Sequence, residues 1–166
     1  MPVWKNVFKG PHLLRLGMNV WPPFLGAGIA VEEVATDFTY VRVALKPTIF
    51  NRNYVGTHFG GSLFAMTDPF FMLMLIRNMG ERYYVWDRSA RIEFVAPGKG
   101  KVVAEMRIRR EDVQEMQTST ASGEKFERDF HTDIVDQNGA IVAKVTKRIY
   151  ARLKPDFRPG ASSSAD

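Results

Sequence analysis

Residues 62–76, which read SLFAMTDPFFMLMLI, decide the fold of this 166-residue chain, because Asp68 is the only charged residue among them. A helix that is apolar on every side is expected inside a protein or a membrane. The stretch is shorter than the roughly 20 apolar residues needed to span a bilayer. It therefore predicts a helix buried within a soluble protein. An ionised carboxylate there costs several kcal/mol unless partners hold it or its pKa rises, so Asp68 is a candidate functional residue.

The rest of the chain divides around this helix. Mixed helical spacing of apolar residues over residues 1–26, broken at Trp21-Pro22-Pro23, predicts one or two short helices, with an amphipathic membrane anchor as the alternative. Alternating apolar residues predict strands, and residues 111–125 are polar and predict a short helix with a loop. The predicted strands cover residues 28–35, 37–46, 85–95, 101–110, 126–135 and 140–152. The last two form a hairpin around Asn138-Gly139, which suits a tight turn.

This order predicts an α+β domain in which an antiparallel sheet wraps one long buried helix. We expect a helical extension over residues 1–26, a main domain over residues 27–155 and a disordered tail over residues 156–166. One sheet gives incomplete cover to a helix that is apolar all round, so a second subunit is expected to complete the enclosure. The sequence thus predicts a homodimer or a homotetramer.

Composition excludes several kinds of site. The chain has no cysteine, which rules out disulfides, thiolate metal sites and a cysteine nucleophile, and we predict no metal. The net charge of +5 favours anionic ligands, but the cations are scattered and no nucleic-acid-binding motif is present, so we predict no nucleic acid partner. The N-terminal hydrophobic residues are interrupted by Lys5, Lys9 and Arg15, so we predict a cytoplasmic protein with no stable membrane insertion.

The entry to the buried helix carries a motif. Asn53 is followed six residues later by Phe59, then by the pair Gly60-Gly61, and Asp68 lies seven residues beyond Gly61. This pattern, N-x5-F-G-G-x6-D, resembles that of the phenylacetyl-CoA-type thioesterases of the hotdog fold, which have N-x5-H-G-G-x6-D. The segments ARIEFVAP (residues 90–97) and DQNGAIVA (residues 136–143) are similar to the strand and the last hairpin of that family. The resemblance covers residues 28–152. It departs at one place, since Phe59 stands where the family has histidine.

The resemblance implies a function and a set of site residues. It implies an acyl-CoA thioesterase whose only cofactor-like group is the CoA moiety of its substrate. Asp68 would activate water or attack the thioester, the N–H of Gly61 would hold the developing oxyanion, and Asn53 or His58 would assist. Four further residues would line the substrate: Gly60, Phe59, Thr57 and Asp87.

Alternatives remain for most of these residues. Asp68 before Pro69 is also a good N-cap for a helix that starts there, in which case it is structural. Asn53 is equally suited to a turn, and His58 to a solvated loop position. Asp87 is either a second polar group in the partner's half of the site or a surface residue, and Gly60-Gly61 also permits a tight entry to a helix.

The activity has alternatives as well. A non-catalytic acyl- or CoA-binding protein is favoured by Phe59 at the histidine position. A dehydratase of the same fold is the third hypothesis.

Overall fold

Two short helices, α1 (Pro11–Val20) and α2 (Pro22–Ala27), open the part of the chain that the computed structural model describes, which is residues 10–160. The break between them falls at Trp21, as the sequence predicts, because Pro22 fits only the first turn of a new helix. The inner face of α1 is buried at Leu14 and Met18. Phe24 of α2 packs against the central helix. Trp4, Val7 and Phe8 of the predicted helical extension lie outside the described residues.

Six strands within residues 10–160 form one antiparallel sheet in the order β1-β2-β4-β5-β6-β3. All six strand predictions are confirmed within a few residues at each end. The strands are β1 (Ile29–Val34), β2 (Tyr40–Leu45), β3 (Tyr83–Phe94), β4 (Val102–Arg107), β5 (Phe126–Asp136) and β6 (Ile141–Leu153). The turn between β5 and β6 contains Gly139 at a φ of 81°, a conformation that favours glycine. The edges of the sheet are β1 and β3.

The predicted central helix is present on the inner face of the sheet, in two segments. They are α3 (Gly60–Ala65) and α4 (Phe70–Met79). The residue before a proline is driven out of the helical region, and proline has no N–H to continue the hydrogen-bond ladder. The sequence Asp68-Pro69 therefore ends α3 and separates it from α4. The structure thus contains a full interruption of the central helix at this point.

The core lies between the sheet and the two segments of the central helix. Phe70, Phe71, Met74 and Leu75 of α4 are fully or almost fully buried, and the sheet contributes alternating residues. Helix α5 (Arg110–Ser119) connects β4 to β5 and packs against α4. The other helices cover part of α4, and Phe70, Phe71, Met74, Leu75 and Met79 are buried. Its outer face, with Ile76, stays exposed in the single chain.

The end of the described chain is short and irregular. A single 3₁₀ turn, Pro155–Phe157, follows β6 at the start of the segment expected to be a disordered tail. Residues 161–166 of that segment lie outside the described residues.

Candidate functional site

Asp68 lies in the interruption of the central helix. The N–H of Asp68 bonds the carbonyl of Ala65, and the N–H of Thr67 bonds that of Phe64, so the end of α3 tightens before the chain turns. Helix α4 begins only at Phe70, and no side chain caps it. The alternative interpretation of Asp68 as a helix cap is therefore wrong. Half of the Asp68 side-chain surface is exposed, 50%, although Met66, Thr67 and Phe70 nearby in the sequence are fully buried.

A buried lysine bonds this carboxylate from the interior of the protein. The Nζ of Lys147 on β6 donates a hydrogen bond to Oδ1 of Asp68. The Lys147 side chain is 2% exposed, and its Nζ lies 5.6 Å from the centre of the Phe64 ring. A buried ammonium requires compensation by opposite charge, which Asp68 supplies on the side that opens to solvent.

Asp87 of β3 is the second carboxylate beside this lysine. Its Oδ1 lies 3.5 Å from the Nζ of Lys147 and is buried without a hydrogen bond from the described residues. Burial raises the pKa of the Asp87 carboxyl above its usual value; the Lys147 ammonium opposes this rise, and the charge of Asp68 adds to it. The interpretation of Asp87 as a surface residue is wrong, since its side chain is only 25% exposed and points to Lys147.

Sequence reasoning missed Lys147, although the pattern of β6 contains a signal for it. The residues Val145, Lys147 and Ile149 alternate with polar or charged ones, and the apolar members of this set face the core. Side chains of a strand alternate between faces with period two, so a lysine in the inward series is an exception. Such an exception in the alternation of a strand indicates a buried charge.

The glycine pair lies at the other end of α3. The ring of Phe59 occupies the space beside Gly61, where an added Cβ would meet its Cε1 at 2.4 Å. A Cβ at Gly60 would meet the ring of Phe94 at 2.9 Å. The two glycines thus leave room for the rings of two exposed phenylalanines, and neither glycine has a positive φ, so the turn itself does not require glycine. At the start of α3, the N–H of Ser62 bonds the carbonyl of Phe59 at 2.9 Å. Within the described residues, the N–H groups of Gly60 and Gly61 before it have no backbone acceptor.

An open cleft of about 280 Å³ adjoins this end of the helix. Phe50, Asn51, Arg52, Phe59 and Ser62 contribute to its wall, together with the end of α2. The cleft combines exposed aromatic rings with one cationic side chain, and Asp68 does not line it. It is suited to a ligand that carries both apolar and anionic groups.

Asn53 and Thr57 hold the loop before the helix. The amide of Asn53 donates to Oγ1 of Thr57 at 2.8 Å and to the carbonyl of His58 at 3.2 Å. Its Oδ1 accepts the N–H groups of Val55 and Thr57. All of these bonds lie inside the loop, which is the pattern of a turn residue. In the structure, Asn53 and Thr57 thus bond within the loop that precedes Phe59 and the glycines.

His58 is buried against a neighbouring turn. Its side chain is 4% exposed, and its Nε2 lies 2.7 Å from the carbonyl oxygen of Gly100. A carbonyl only accepts, so Nε2 carries the hydrogen, and Nδ1 is buried without a partner among the described residues. The expectation of a solvated loop histidine is wrong, because the turn that contains Gly98 and Gly100 covers the ring.

The two candidate groups of the motif lie at opposite ends of α3. Gly61 is in its first turn, and Asp68 follows its end, three residues after Ala65. The structure brings Asp68 together with Asp87 and brings Gly61 together with Phe59 and Gly60, as two separate groups.

Two further findings concern residues 10–160. No helix there is long and apolar enough to cross a membrane. No group of three or more histidine, aspartate or glutamate side chains in that range is arranged to hold a metal ion.

The sequence matches the family described as Domain of unknown function (DUF4442) over residues 10–151. No curated protein matches it.

Solved structures are similar over nearly the whole chain. A protein of unknown function and probable thioesterase from Pseudomonas aeruginosa is 21% identical, with a TM-score of 0.75 over 86% of this chain and 95% of that one. A thioesterase from Haemophilus influenzae is 12% identical, with a TM-score of 0.63 over 86% and 90%. A mutant of the phenylacetic acid degradation protein from Thermus thermophilus is 22% identical, with a TM-score of 0.56 over 80% and 100%. These likenesses confirm the hotdog fold.

Proposed function

This chain belongs to the DUF4442 family, and from that premise we propose that it is a cytoplasmic acyl-CoA thioesterase. The observation that carries the proposal is the environment of Asp68. A carboxylate in the interruption of the central helix is half-exposed, and a buried ammonium bonds one of its oxygens. The other oxygen is available to a water molecule or to a thioester carbon. The solved structures of similar fold include a thioesterase and a probable thioesterase, which supports this choice of reaction.

In the proposed reaction Asp68 provides the carboxylate, and the N–H of Gly61 stabilises the oxyanion. Asp68 has two routes, activation of water or direct attack on the thioester. In either case the acyl–sulfur bond breaks, water supplies the hydroxyl of the acid product, and CoA leaves as its thiolate. Neither route requires a metal or a cofactor beyond the CoA moiety of the substrate.

Gly61 lies in the first turn of α3, whereas Asp68 follows the end of α3 and contacts Lys147 of the sheet. This placement at opposite ends of the segment supports a site shared between two copies of the chain, in which Gly61 of one copy acts with Asp68 of another. Exposed apolar side chains in the loop before α3, which are Ile49, Phe50, Tyr54 and Val55, support a homodimer or a homotetramer. Sedimentation as a stable monomer at micromolar concentration would exclude a shared site.

Near the glycines, the cleft supplies a place for the substrate. The rings of Phe50 and Phe59 offer apolar surface to the ligand, and Arg52 offers positive charge to the phosphates of CoA. Thr57 and Asn53 support this wall through the loop, and His58 bonds the loop to the turn between β3 and β4.

The test is hydrolysis of a panel of acyl-CoAs, followed with a thiol-reactive dye. The protein has no cysteine and adds no background. We expect Asp68→Asn to lower kcat by a factor on the order of 10²–10⁴, the usual contribution of a catalytic base. The fold should persist, because Asp87 remains beside Lys147 as its counterion. The matched control is Asp133→Asn, an exposed carboxylate of β5, which should leave kcat unchanged. A folded Asp68→Asn variant with unchanged hydrolysis would contradict the proposal.

A second candidate function is acyl-CoA binding without hydrolysis. The position of Phe59 favours it, because an aromatic ring there packs on Gly61 in place of a polar side chain. In that case the wild-type protein binds acyl-CoA without turnover, and Asp68→Asn leaves the affinity unchanged or tightens it by removing a negative charge.

A further inference from the structure

Lys147 is the strongest exception to the pattern of the core. It is the only charged residue among the inward positions of β6, and it lies between Val145 and Ile149, which are 1% and 0% exposed. Replacing a buried ion pair by apolar residues of similar volume is often neutral or stabilising. Folding stability alone therefore gives no reason to place a lysine at this position.

The contacts of Lys147 point to the candidate site. Its ammonium reaches from the sheet to the interruption of the central helix, where it bonds Oδ1 of Asp68. The ring of Phe64 covers one side of the ammonium, and Asp87 lies on another side at 3.5 Å. One oxygen of Asp68 is thus fixed from inside the protein, while half of the side chain stays open to solvent.

The charges around Lys147 are unequal, with two carboxylates for one ammonium. Burial raises the pKa of the Asp87 carboxyl, so Asp87 takes up a proton more readily than an ordinary aspartate. With Asp87 protonated, the charges of Lys147 and Asp68 balance. Asp87 can also ionise when Asp68 is removed, and it then keeps the lysine compensated.

We infer that Lys147 is a positioning residue of the thioesterase site, which orients the Asp68 carboxylate for reaction and does not itself contact the substrate. The inference rests on the proposed function. Lys147 fixes the direction of the reactive oxygen by bonding its partner oxygen, and a misplacement of about 1 Å in such a group can reduce a rate 100-fold. The lysine is buried beneath Asp68, so its loss affects the chemical step and leaves substrate binding unchanged.

The test uses Lys147→Met in the full chain, with acyl-CoA hydrolysis and thermal unfolding measured on the same sample. Methionine has a similar volume without charge. We expect kcat to fall about 100-fold with KM unchanged, because substrate binding does not involve Lys147. The variant Lys147→Arg, which keeps the cation, should recover part of the lost kcat. Lys144→Met is the matched control, since the same substitution on the exposed face of β6 should change neither parameter.

The outcomes separate the inference from the proposed function. Wild-type turnover together with an unchanged kcat in Lys147→Met, or a rise in KM alone, overturns the inference and leaves the thioesterase proposal standing. A wild-type protein that binds acyl-CoA but hydrolyses none of the panel overturns both. Should Lys147→Met fail to fold, Lys147→Met/Asp87→Asn removes the carboxylate left without its cation, and it carries the same kinetic expectation.

Discussion

Asp112 and Asp87 are both carboxylates drawn into the protein beside cations, and the structure treats them in opposite ways. Asp112, in the first turn of α5, accepts the N–H of Arg109 at 2.8 Å and a hydrogen bond from Arg128 at 2.6 Å. Burial by itself raises the pKa of Asp112, but these hydrogen bonds and the arginine charges outweigh it and lower the pKa. No residue among those described donates a hydrogen bond to Oδ1 of Asp87, and burial raises the pKa of this carboxyl.

This difference separates Asp112, whose charge stabilises the fold, from the carboxylates around Lys147, whose charge is incompletely compensated. Asp112 caps a helix and is bonded to two arginines, so its ionised form is stabilised within the fold. Within residues 10–160, the Lys147 ammonium is the one cation paired with Asp68 and Asp87. Asp68 is half-exposed, and Oδ1 of Asp87 is buried without a hydrogen bond from those residues. Unbalanced charge of this kind is typical of functional sites, because it permits a change of protonation without a change of fold.

The largest expected effect concerns the compensation of Lys147. The double variant Asp68→Asn/Asp87→Asn leaves a buried ammonium without a carboxylate, and we expect it to lose about 3–5 kcal/mol of unfolding free energy. Each single variant should lose much less, because the other carboxylate remains. Adding Lys147→Met to the double variant should restore most of the loss. Urea denaturation of these variants and the wild type gives the values, and a double variant as stable as the wild type would refute the charge balance described above.

An intermediate effect is expected for the cluster of Asp112, Arg109 and Arg128. Asp112→Ala removes the hydrogen bonds to Arg109 and Arg128, and we expect a loss of about 2 kcal/mol of unfolding free energy. The hydrolysis rate should stay unchanged, which is the opposite of the pattern expected for Asp68→Asn. Glu111→Ala, an exposed neighbour in the same helical turn, serves as the control. A loss of kcat in a folded Asp112→Ala protein would mean that the two clusters are coupled.

The smallest expected effect is a difference of sign in the pH dependence of stability. Because the pKa of Asp87 is raised in the folded state, the wild type loses stability as pH rises from the ordinary value of 3.8 through the folded pKa. Asp87→Asn lacks this loss, so the variant should gain stability relative to wild type over that window.

For Asp112 the folded pKa is lowered, and its stabilisation is present above 3.8 and is lost as pH falls through the folded pKa. Asp112→Asn should therefore lose stability relative to wild type as pH rises over its own window. Denaturation curves of the three proteins between acid and neutral pH measure both trends. Parallel trends for the two variants would show that the two carboxylates do not differ.

The sequence by itself determined the elements of this protein. An apolar stretch with one charge specified the central helix, and alternation with period two specified six strands, because both patterns depend on residues a few positions apart. The break at Pro22 and the hairpin at Gly139 were also predictable, since proline and glycine restrict or extend the backbone locally. The same local logic identified Asp68 as the unusual residue of the helix.

Only the tertiary structure decided what Asp68 contacts. Lys147 lies 79 residues further along the chain, and the pairing of β3 with β6 brings Asp87 to the same ammonium. These contacts depend on strand register and on the path of the chain after Pro69, which no short-range pattern specifies. The burial of His58 was decided in the same way, because the turn that covers it comes from a different part of the sheet. The amino-acid sequence sets which charges exist, and packing decides which of them are compensated.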